Sequence, residues 1–522
     1  MNPVSAMFAL AQAGFILARE GVFKDIPVDE MPLLVRLAHR VAGLIARPKN
    51  ANLQQSERLS KALNRLGPSW VKLGQFMATR PDVVGTQMAL DLELLQDRMD
   101  AFPTGEARAA IEASLGRPMD EMFATFSEPV AAASIAQVHK ATLKDDPQKT
   151  VAVKVIRPGV RKRFLRDLDL FYFAAHLQER FIPAAKRLRP VSVVDILAQS
   201  ARLEMDLRLE AAAFSEMHEN TANDEGFRVP NVDWERTGRD VVTMDWVDGT
   251  KLTKIMELDK LGLDKKQIAI NLVQSFLRQT LRDGFFHADM HPGNLFFDPD
   301  GTIVAVDLGI AGRLGKKERL FLAEILYGFI TRNYMRVAQV HFDAGYVPMH
   351  HDVASFAQAI RAIGEPIHGQ SAETVSMAKL LTLLFEVTEL FDMQTQPQLL
   401  LLQKTMVVVE GVARKLDPKF NMWAASEPVV AHWISSKLGP AGKLSDAKDG
   451  VNAVVRLVGM VPEFVERTER LGKEIDAMSQ NGIRLDAPTI EAIGKAEAQH
   501  SRVGRIALVV IAIAAVIAVW QI

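Results

Sequence analysis

Apolar residues recur at intervals of three and four along residues 30–100, most clearly in MPLLVRLAHRVAGLIA and SERLSKALNRLG, and that spacing predicts helices throughout the region. The first eighteen residues, MNPVSAMFALAQAGFILA, are moderately apolar, and Arg19 is the first ionised side chain. Without a charged leader they read as a helix, buried or lying on a surface, rather than a secretory or transit peptide. Pro103 and Gly105 mark a change. From about Glu128 to Val155 the pattern is strand-like, and it ends in the β-branched run TVAVKVI after the turn-like DDPQK. A helical stretch over 192–222 follows, then a second strand-like piece, DVVTMDWVDG. Beyond Gly249 helical spacing dominates, interrupted by FFHADMHPGNLFFDPDGTIVAVDLG, and no segment repeats. The pattern predicts an α+β chain. A helical extension over 1–102 precedes a strand-rich small lobe over 103–249 and a helical large lobe over 250–440. A helical linker over 441–502 and a tail over 503–522 complete it.

Composition narrows the chemistry. The chain has 522 residues, room for several packed units at roughly 100–200 residues each. Lys and Arg total 62 against 63 Asp and Glu, a net charge of −1, which argues against a nucleic-acid partner. Charged residues at 24% and apolar residues at 48% are ordinary for a folded protein. There is no cysteine, so disulfides, zinc–thiolate sites, thiolate-held iron–sulfur clusters and a cysteine nucleophile are all excluded.

A mean hydropathy of +0.05 is slightly high for a soluble body. The excess has an address in Ile506 to Trp520, IALVVIAIAAVIAVW, fifteen uninterrupted apolar residues. At about 1.5 Å per residue the tail is near the short end for crossing a bilayer. Lys495, Arg502 and Arg505 on its N-terminal side and Trp520 at the far interface predict one membrane anchor with the catalytic domain cytoplasmic, at a bacterial inner membrane. The segment VNAVVRLVGMVPEFVE is too charged and Pro-broken to be a second span.

The candidate chemistry starts at Lys154 in VAVKV. A lysine within an apolar β-branched run faces an interior or a cleft, where an unpaired ammonium is costly and needs an anion. Alone, it equally reads as an edge-strand gatekeeper. Glu210, on the helical ARLEMDLRLEAAAF, is the expected partner. A second cluster is independent of this pair. Asp289 and Asn294 in HADMHPGN are five apart, and Asp307 in VDLG lies thirteen residues further on. Those oxygens suit Mg²⁺ with phosphates. A strand lysine, a helix glutamate, a loop aspartate with an asparagine, and an aspartate before Gly are the parts of a protein-kinase site, in its order.

The nucleotide loop should precede the lysine strand, where VAAASIAQV stands. Laid on G-x-G-x-x-G-x-V, residues Val130, Ala131, Ala132, Ala133, Ser134, Ile135, Ala136, Gln137 and Val138 put alanine at all three glycine positions. An alanine Cβ makes positive φ costly and obstructs close approach to phosphates, so we expect nucleotide binding with altered phosphate placement. Met244, in the second strand-like piece, joins the nucleotide-binding set. Two departures weaken a protein-substrate reading. Only about six residues separate Gly309 from the helical GKKERLFLAEILYGFI, with no A-P-E motif after it. The catalytic loop also reads His287-Ala288-Asp289, without the arginine that answers an activation-loop phosphate. His287 and His291 read as supports of this loop rather than as metal ligands.

These motifs resemble the UbiB family of atypical kinase-like proteins associated with ubiquinone biosynthesis. The resemblance covers about residues 60–425 and rests on LGPSWVKLGQFMATRPD, AAASIAQVH, VAVKV, EMDLRLEAA, HADMHPGN, VDLG and EGVARKLDP, with Met290 where the family usually has proline. It implies a bilobal, atypical protein-kinase-like fold. It also implies that Lys72, Gly74 and Gln75 form the family's Lys-x-Gly-Gln signature, on an extension folded over the active site. Glu204 and Asp206 match its Glu-x-Asp motif, expected to meet that extension, and Glu210 matches the glutamate that pairs with the strand lysine. On one continuous helix, positions 204 and 210 would lie about 120° apart and so divide those tasks.

The expected function is an ATP-dependent, Mg²⁺-requiring kinase-like ATPase supporting ubiquinone biosynthesis at a membrane. Lys154, Glu210, Asp289 and Lys72 would be its catalytic residues, Asn294 and Asp307 its metal ligands, and Gln75, Glu204 and Asp206 would join the nucleotide site. The partners implied are ATP, membrane lipids or isoprenoid quinone precursors, and quinone-biosynthesis enzymes. A phosphotransferase acting on a lipid-like or protein acceptor, and a nucleotide-gated scaffold, are the alternatives. No flavin fingerprint or redox-metal ligand set supports direct ring oxidation.

Overall fold

A computed structural model describes residues 3–24, 33–50, 53–78, 99–181, 189–255, 260–369 and 397–438, with single positions 84, 88, 91–92, 387 and 390–393. The expected linker over 441–502 and membrane anchor over 503–522 lie outside the described residues. Among the described residues, no helix is long and apolar enough to cross a membrane.

The chain starts with four helices, α1 (Pro3–Glu20), α2 (Leu33–Ile45), α3 (Gln55–Leu66) and α4 (Pro68–Ala78). Leu59, Ala62 and Leu63 of α3, Val71 of α4 and Val22 after α1 meet in a small core. Glu20 is buried beside it, held by Arg65 at 2.7 Å and by the Asn50 amide at 2.7 Å. Gly67 separates α3 from α4 at φ +106, a backbone that favours glycine.

After α5 (Thr104–Leu115) and the single turn α6 (Met119–Met122) come β1 (Phe123–Ala132), β2 (Ala136–Leu143) and β3 (Thr150–Ile156). The first strand thus begins five residues before the alternation becomes legible. Two helices, α7 (Val160–Phe181) and α8 (Pro190–Glu204), lead into α9 (Leu207–Thr221), followed by β4 (Phe227–Arg228) and β5 (Val241–Asp245). The antiparallel order is β1-β2-β3-β5. Strand alternation divides this sheet sharply. Val151, Val153, Val155 and Val241 are buried against Phe102 and against Ala107, Ile111 and Met122 of the preceding helices. The opposite face carries Lys154, paired across to Val138 on one side and Val242 on the other, with Met244 paired to Ala152.

The helix expected over 192–222 is two helices. It breaks at Met205, and Asp206 caps α9 by accepting the Arg208 N–H, leaving Glu204 as the last residue of α8. An aspartate satisfies a free helix N–H better than it continues a helix, and this one adds a two-pronged pair with its own Arg208 guanidinium.

Beyond β6 (Thr250–Lys251), α10 (Lys265–Leu277) runs into a π-helical turn, Arg278–Asp283. Four short strands follow: β7 (Phe285–His287), β8 (Leu295–Phe297), β9 (Ile303–Ala305) and β10 (Ala311–Arg313). They form a sheet β4-β9-β8-β6 and a pair β10-β7. The described residues finish with α11 (Lys316–Ile330), α12 (Tyr334–Asp343), α13 (Val353–Gly369), α14 (Pro397–Leu416) and α15 (Met422–Leu438). Tyr334, Val337, Phe342, Phe356 and Ile360 make a separate core there.

Two units partition the chain. One comprises Met1–Gly14, Asp169–Ala174 and Lys437–Ile522, and its described residues are all helical. The other, Phe15–Leu168 with Ala175–Ser436, contains all three sheets and every residue of the candidate site.

Candidate functional site

Strand β3 puts Lys154 on the cleft face of its sheet, and the first turn of α9 puts Glu210 beside it. The Lys154 Nζ donates to Glu210 Oε1 at 2.7 Å and to Asp307 Oδ2 at 3.1 Å. The lysine and Glu210 are buried, whereas the Asp307 side chain stays 42% exposed and opens the cluster to solvent. Burial alone would lower the Lys154 pKa; the carboxylates of Asp307 and Glu210 outweigh it and raise the ammonium well above the ordinary lysine value. Burial pushes the Asp307 carboxyl up, but Lys154 and the Gly309 N–H, which Oδ1 accepts at 2.9 Å, bring it below the usual range. Glu210 is raised by burial, with Lys154 opposing.

The catalytic-loop residues come together on the turn between β7 and β8. Asn294 Nδ2 donates to the Asp289 carbonyl at 3.2 Å and to its Oδ2 at 3.1 Å. A carboxylate offers only acceptors, so the nitrogen must face it, which leaves Asn294 Oδ1 as the acceptor available to a cation. The Asp289 N–H donates to His287 Nδ1 at 3.2 Å, which puts the imidazole proton on Nε2. His287 is fully buried. Burial lowers its pKa, against an upward pull from the Asp289 and Asp307 carboxylates, so it supports the loop as a neutral ring. His291 is exposed and caps the turn by accepting the Gly293 N–H at 3.1 Å.

Two supports carry no sequence signal. Gln279, buried in the π-helical turn, accepts the His287 N–H at 3.2 Å. Thr405, buried on α14, places its hydroxyl 2.9 Å from the Ala288 carbonyl, so a helix more than a hundred residues away holds the catalytic loop. Neither the π turn nor that pairing has a periodicity that could reveal it.

The alanine-rich loop is the tip of the β1–β2 hairpin. The Ala133 N–H donates to the Ala136 carbonyl at 2.8 Å, closing the turn around Ser134 and Ile135. Positive φ among described non-glycine residues is confined to Arg189, Arg332 and Asp392, so alanine at 131, 133 and 136 costs no backbone strain. Ala131 and Val138 are cross-strand partners, and Val138 faces Lys154. Val130 is exposed at the strand edge, and Ala132 pairs with Gln137. Gln137 lies one residue out of phase with the cleft. Its buried amide accepts the Phe102 N–H at 2.9 Å and donates to the Phe102 carbonyl at 3.2 Å, so that side chain anchors the hairpin rather than facing the site. Met244 is buried on the Lys154 face.

The extension meets this lobe through Lys72, on α4, which forms an ion pair with Glu204 at the end of α8; both are largely buried. Asp206 is engaged with Arg208, whose hydrogen bonds hold its carboxyl below the usual range. Gln75 is half-buried one turn from Lys72. Arg163 donates to the Leu66 carbonyl at 2.8 Å, and a side chain at Gly67 would collide with that guanidinium. The segment after Gly309 is as short as its sequence requires, with α11 starting at Lys316.

The donor set is one for hard cations. Asp307 and Asn294 offer oxygen donors alone. Asp307 and Glu210 share the one Lys154 ammonium, an excess of negative charge that a divalent cation would offset beside a phosphate chain.

The chain is similar to several known proteins. The model of the ABC1 atypical kinase-like domain matches residues 94–341, and that of the UbiB helical domain matches 360–421. The chain is 37% identical over 497 residues to a protein of Marinobacter nauticus named "Probable protein kinase UbiB", covering 94% of this chain and 87% of that one. It is 38% identical over 425 residues to a protein of the same name from Aliivibrio fischeri, covering 80% and 78%. A solved structure, the complex of Rv3197 with erythromycin from Mycobacterium tuberculosis, is similar at 23% identity and a TM-score of 0.48, covering 76% of this chain and 97% of that one.

Proposed function

This chain belongs to the UbiB family of ABC1 atypical kinase-like proteins, and on that premise we propose that it is a Mg²⁺-dependent ATPase or phosphotransferase supporting ubiquinone biosynthesis at a membrane. The observation that carries the reading is one ammonium shared by two carboxylates from different elements, Lys154 to Glu210 at 2.7 Å and to Asp307 at 3.1 Å. Fixed in this way, Lys154 is positioned to grip the α- and β-phosphates of ATP. Asn294 and Asp307 would hold Mg²⁺, which when bound neutralises charge on the phosphates. Asp289, oriented by Asn294 and by the His287 ring behind it, accepts the proton of the attacking hydroxyl or water. Val138 and Met244 give the nucleotide an apolar wall on the same sheet face.

The six residues from Ile310 to Gly315 between Gly309 and α11 leave little platform for a peptide, which favours water or a small isoprenoid or lipid-like acceptor. The outer apolar tail and quinone-biosynthesis enzymes would bring that acceptor to the site. Purified protein should turn over ATP with Mg²⁺, and Asp307→Asn should lower turnover on the order of 100-fold; equal turnover in both proteins refutes the proposal. A lipid extract from cells carrying Asp289→Ala should accumulate a quinone precursor.

A further inference from the structure

Far along the chain from the kinase-like motifs, three side chains with nitrogen and oxygen donors converge. His350 and His351 stand in the loop ahead of α13, and Asp392 lies in the short segment that includes Phe391 and Met393. The Asp392 Oδ2 is 3.3 Å from His351 Nε2 and 3.7 Å from His350 Nε2. One donor atom from each residue falls within 4.8 Å of the other two.

Those separations suit a shared cation better than direct contact. A comfortable N–H···O hydrogen bond is about 2.7–3.2 Å, so one pair is long and the other is beyond bonding. Donors bound at about 2.0–2.1 Å to a tetrahedral ion sit about 3.3 Å apart, which is the spacing of His351 and Asp392. The backbone is committed to the arrangement. Asp392 has φ 49, a left-handed conformation rare outside glycine, though aspartate tolerates it better than most residues. The buried Phe391 ring beside it packs edge-on against His351 at 5.3 Å and against Phe356 at 5.0 Å, so the aspartate and one histidine are fixed to the same apolar core. The two imidazoles lie 4.1 Å apart, centroid to centroid. The neighbouring Asp352 takes no part, since its carboxylate accepts the Ser355 N–H and hydroxyl at 2.8 and 2.9 Å and starts α13.

We propose that His350, His351 and Asp392 form a binding site for a divalent d-block cation of the zinc class, with water completing the shell. Two borderline imidazole nitrogens beside one carboxylate differ from the all-oxygen set of Asn294 and Asp307, so the two sites select different ions. The bound ion ties the loop before α13 to the Phe391–Met393 segment. It rests on none of the residues of the kinase-like site and is independent of the function proposed for them.

Cobalt is a suitable probe, because a four- or five-coordinate nitrogen–oxygen site gives intense visible bands while an octahedral oxygen site barely absorbs. The absence of cysteine removes thiolate bands from the spectrum. Full-length protein freed of metal with a chelator and titrated with CoCl₂ should develop such bands, saturating at one equivalent. His350→Ala and Asp392→Asn should each abolish them while circular dichroism stays unchanged. His350 is 67% exposed, so its removal spares the core, and asparagine keeps the tolerance for φ 49. Absence of the bands from the unaltered protein, or their persistence in both variants, overturns the site.

Discussion

At the scale of single residues, the Lys154 cluster is a balance of unequal partners. Glu210 and Lys154 are buried together, so removing the lysine strands a carboxylate in a poorly solvated place, whereas Asp307 can still reach water. Lys154→Met should therefore cost stability by up to about 3 kcal/mol and lower ATP turnover on the order of 100-fold. Lys154→Met combined with Glu210→Gln should recover most of the stability, read by denaturant unfolding, and none of the turnover. Recovery of both would mean that the lysine serves folding alone. Buried histidines make a second residue-scale prediction. Burial lowers the pKa of His341 and of His139 below the ordinary imidazole value of about 6.5. In each case the unfolded chain binds the proton more readily, so the contribution to stability is intact above that value and is lost progressively as pH falls from it toward the depressed one. Each tenfold weakening of proton affinity is worth about 1.4 kcal/mol. Unfolding free energy should thus decline between neutral pH and pH ~5, and His341→Gln should make that decline shallower whatever it does to the absolute value. An unchanged slope would assign the decline to other groups.

At the scale of elements, the sequence was most legible where chemistry and periodicity coincide. VAVKV reads as a strand because its odd-numbered valines are a core face, and Lys154 then falls on the other face by alternation alone. HADMHPGN and VDLG stand out by spacing, and the structure brings Asp289 and Asn294 into contact and sets Asp307 against Lys154. Legibility failed where register or a long-range contact decides. Gln137 sits in the loop motif, yet its phase on β2 turns it to Phe102. Thr405 reaches Ala288 across a separation no pattern encodes. The break between α8 and α9 is the instructive miss, because a helical window average cannot see one aspartate choosing a cap. Asp206 ends one helix direction and starts the next, which frees Glu204 to meet Lys72 while Glu210 meets Lys154. Asp206→Ala should lower stability by about 1 kcal/mol, the ordinary value of a lost cap. Because the two glutamates depend on the angle it sets, turnover should fall more than that stability loss explains at temperatures where the variant remains folded. Asp206→Asn, which keeps an N-cap acceptor, should retain both.

At the scale of the whole molecule, the helical extension and the kinase-like lobe meet through charged and polar groups. Among the described residues, Leu59, Leu63 and Val71 turn inward to a small apolar core. Two polar contacts reach the following lobe: the Lys72–Glu204 pair and the Arg163 guanidinium on the Leu66 carbonyl, seated where only a glycine at 67 leaves space. Polar attachments weaken with ionic strength, and a partly buried pair weakens less than an exposed one. Lys72→Ala should leave the extension folded, because Lys72 belongs to none of its core, yet loosen its hold on the end of α8. The expected result is faster binding and release of a fluorescent ATP analogue in stopped-flow mixing, with the melting temperature changed little. Glu204→Gln should reproduce that acceleration, and the double variant should add almost nothing, since both single changes break one interaction. Added salt should accelerate exchange in the unaltered protein more than in Lys72→Ala. Equal exchange rates across the whole series would place the extension outside the path of the nucleotide and reduce the pair to a fastening of the fold.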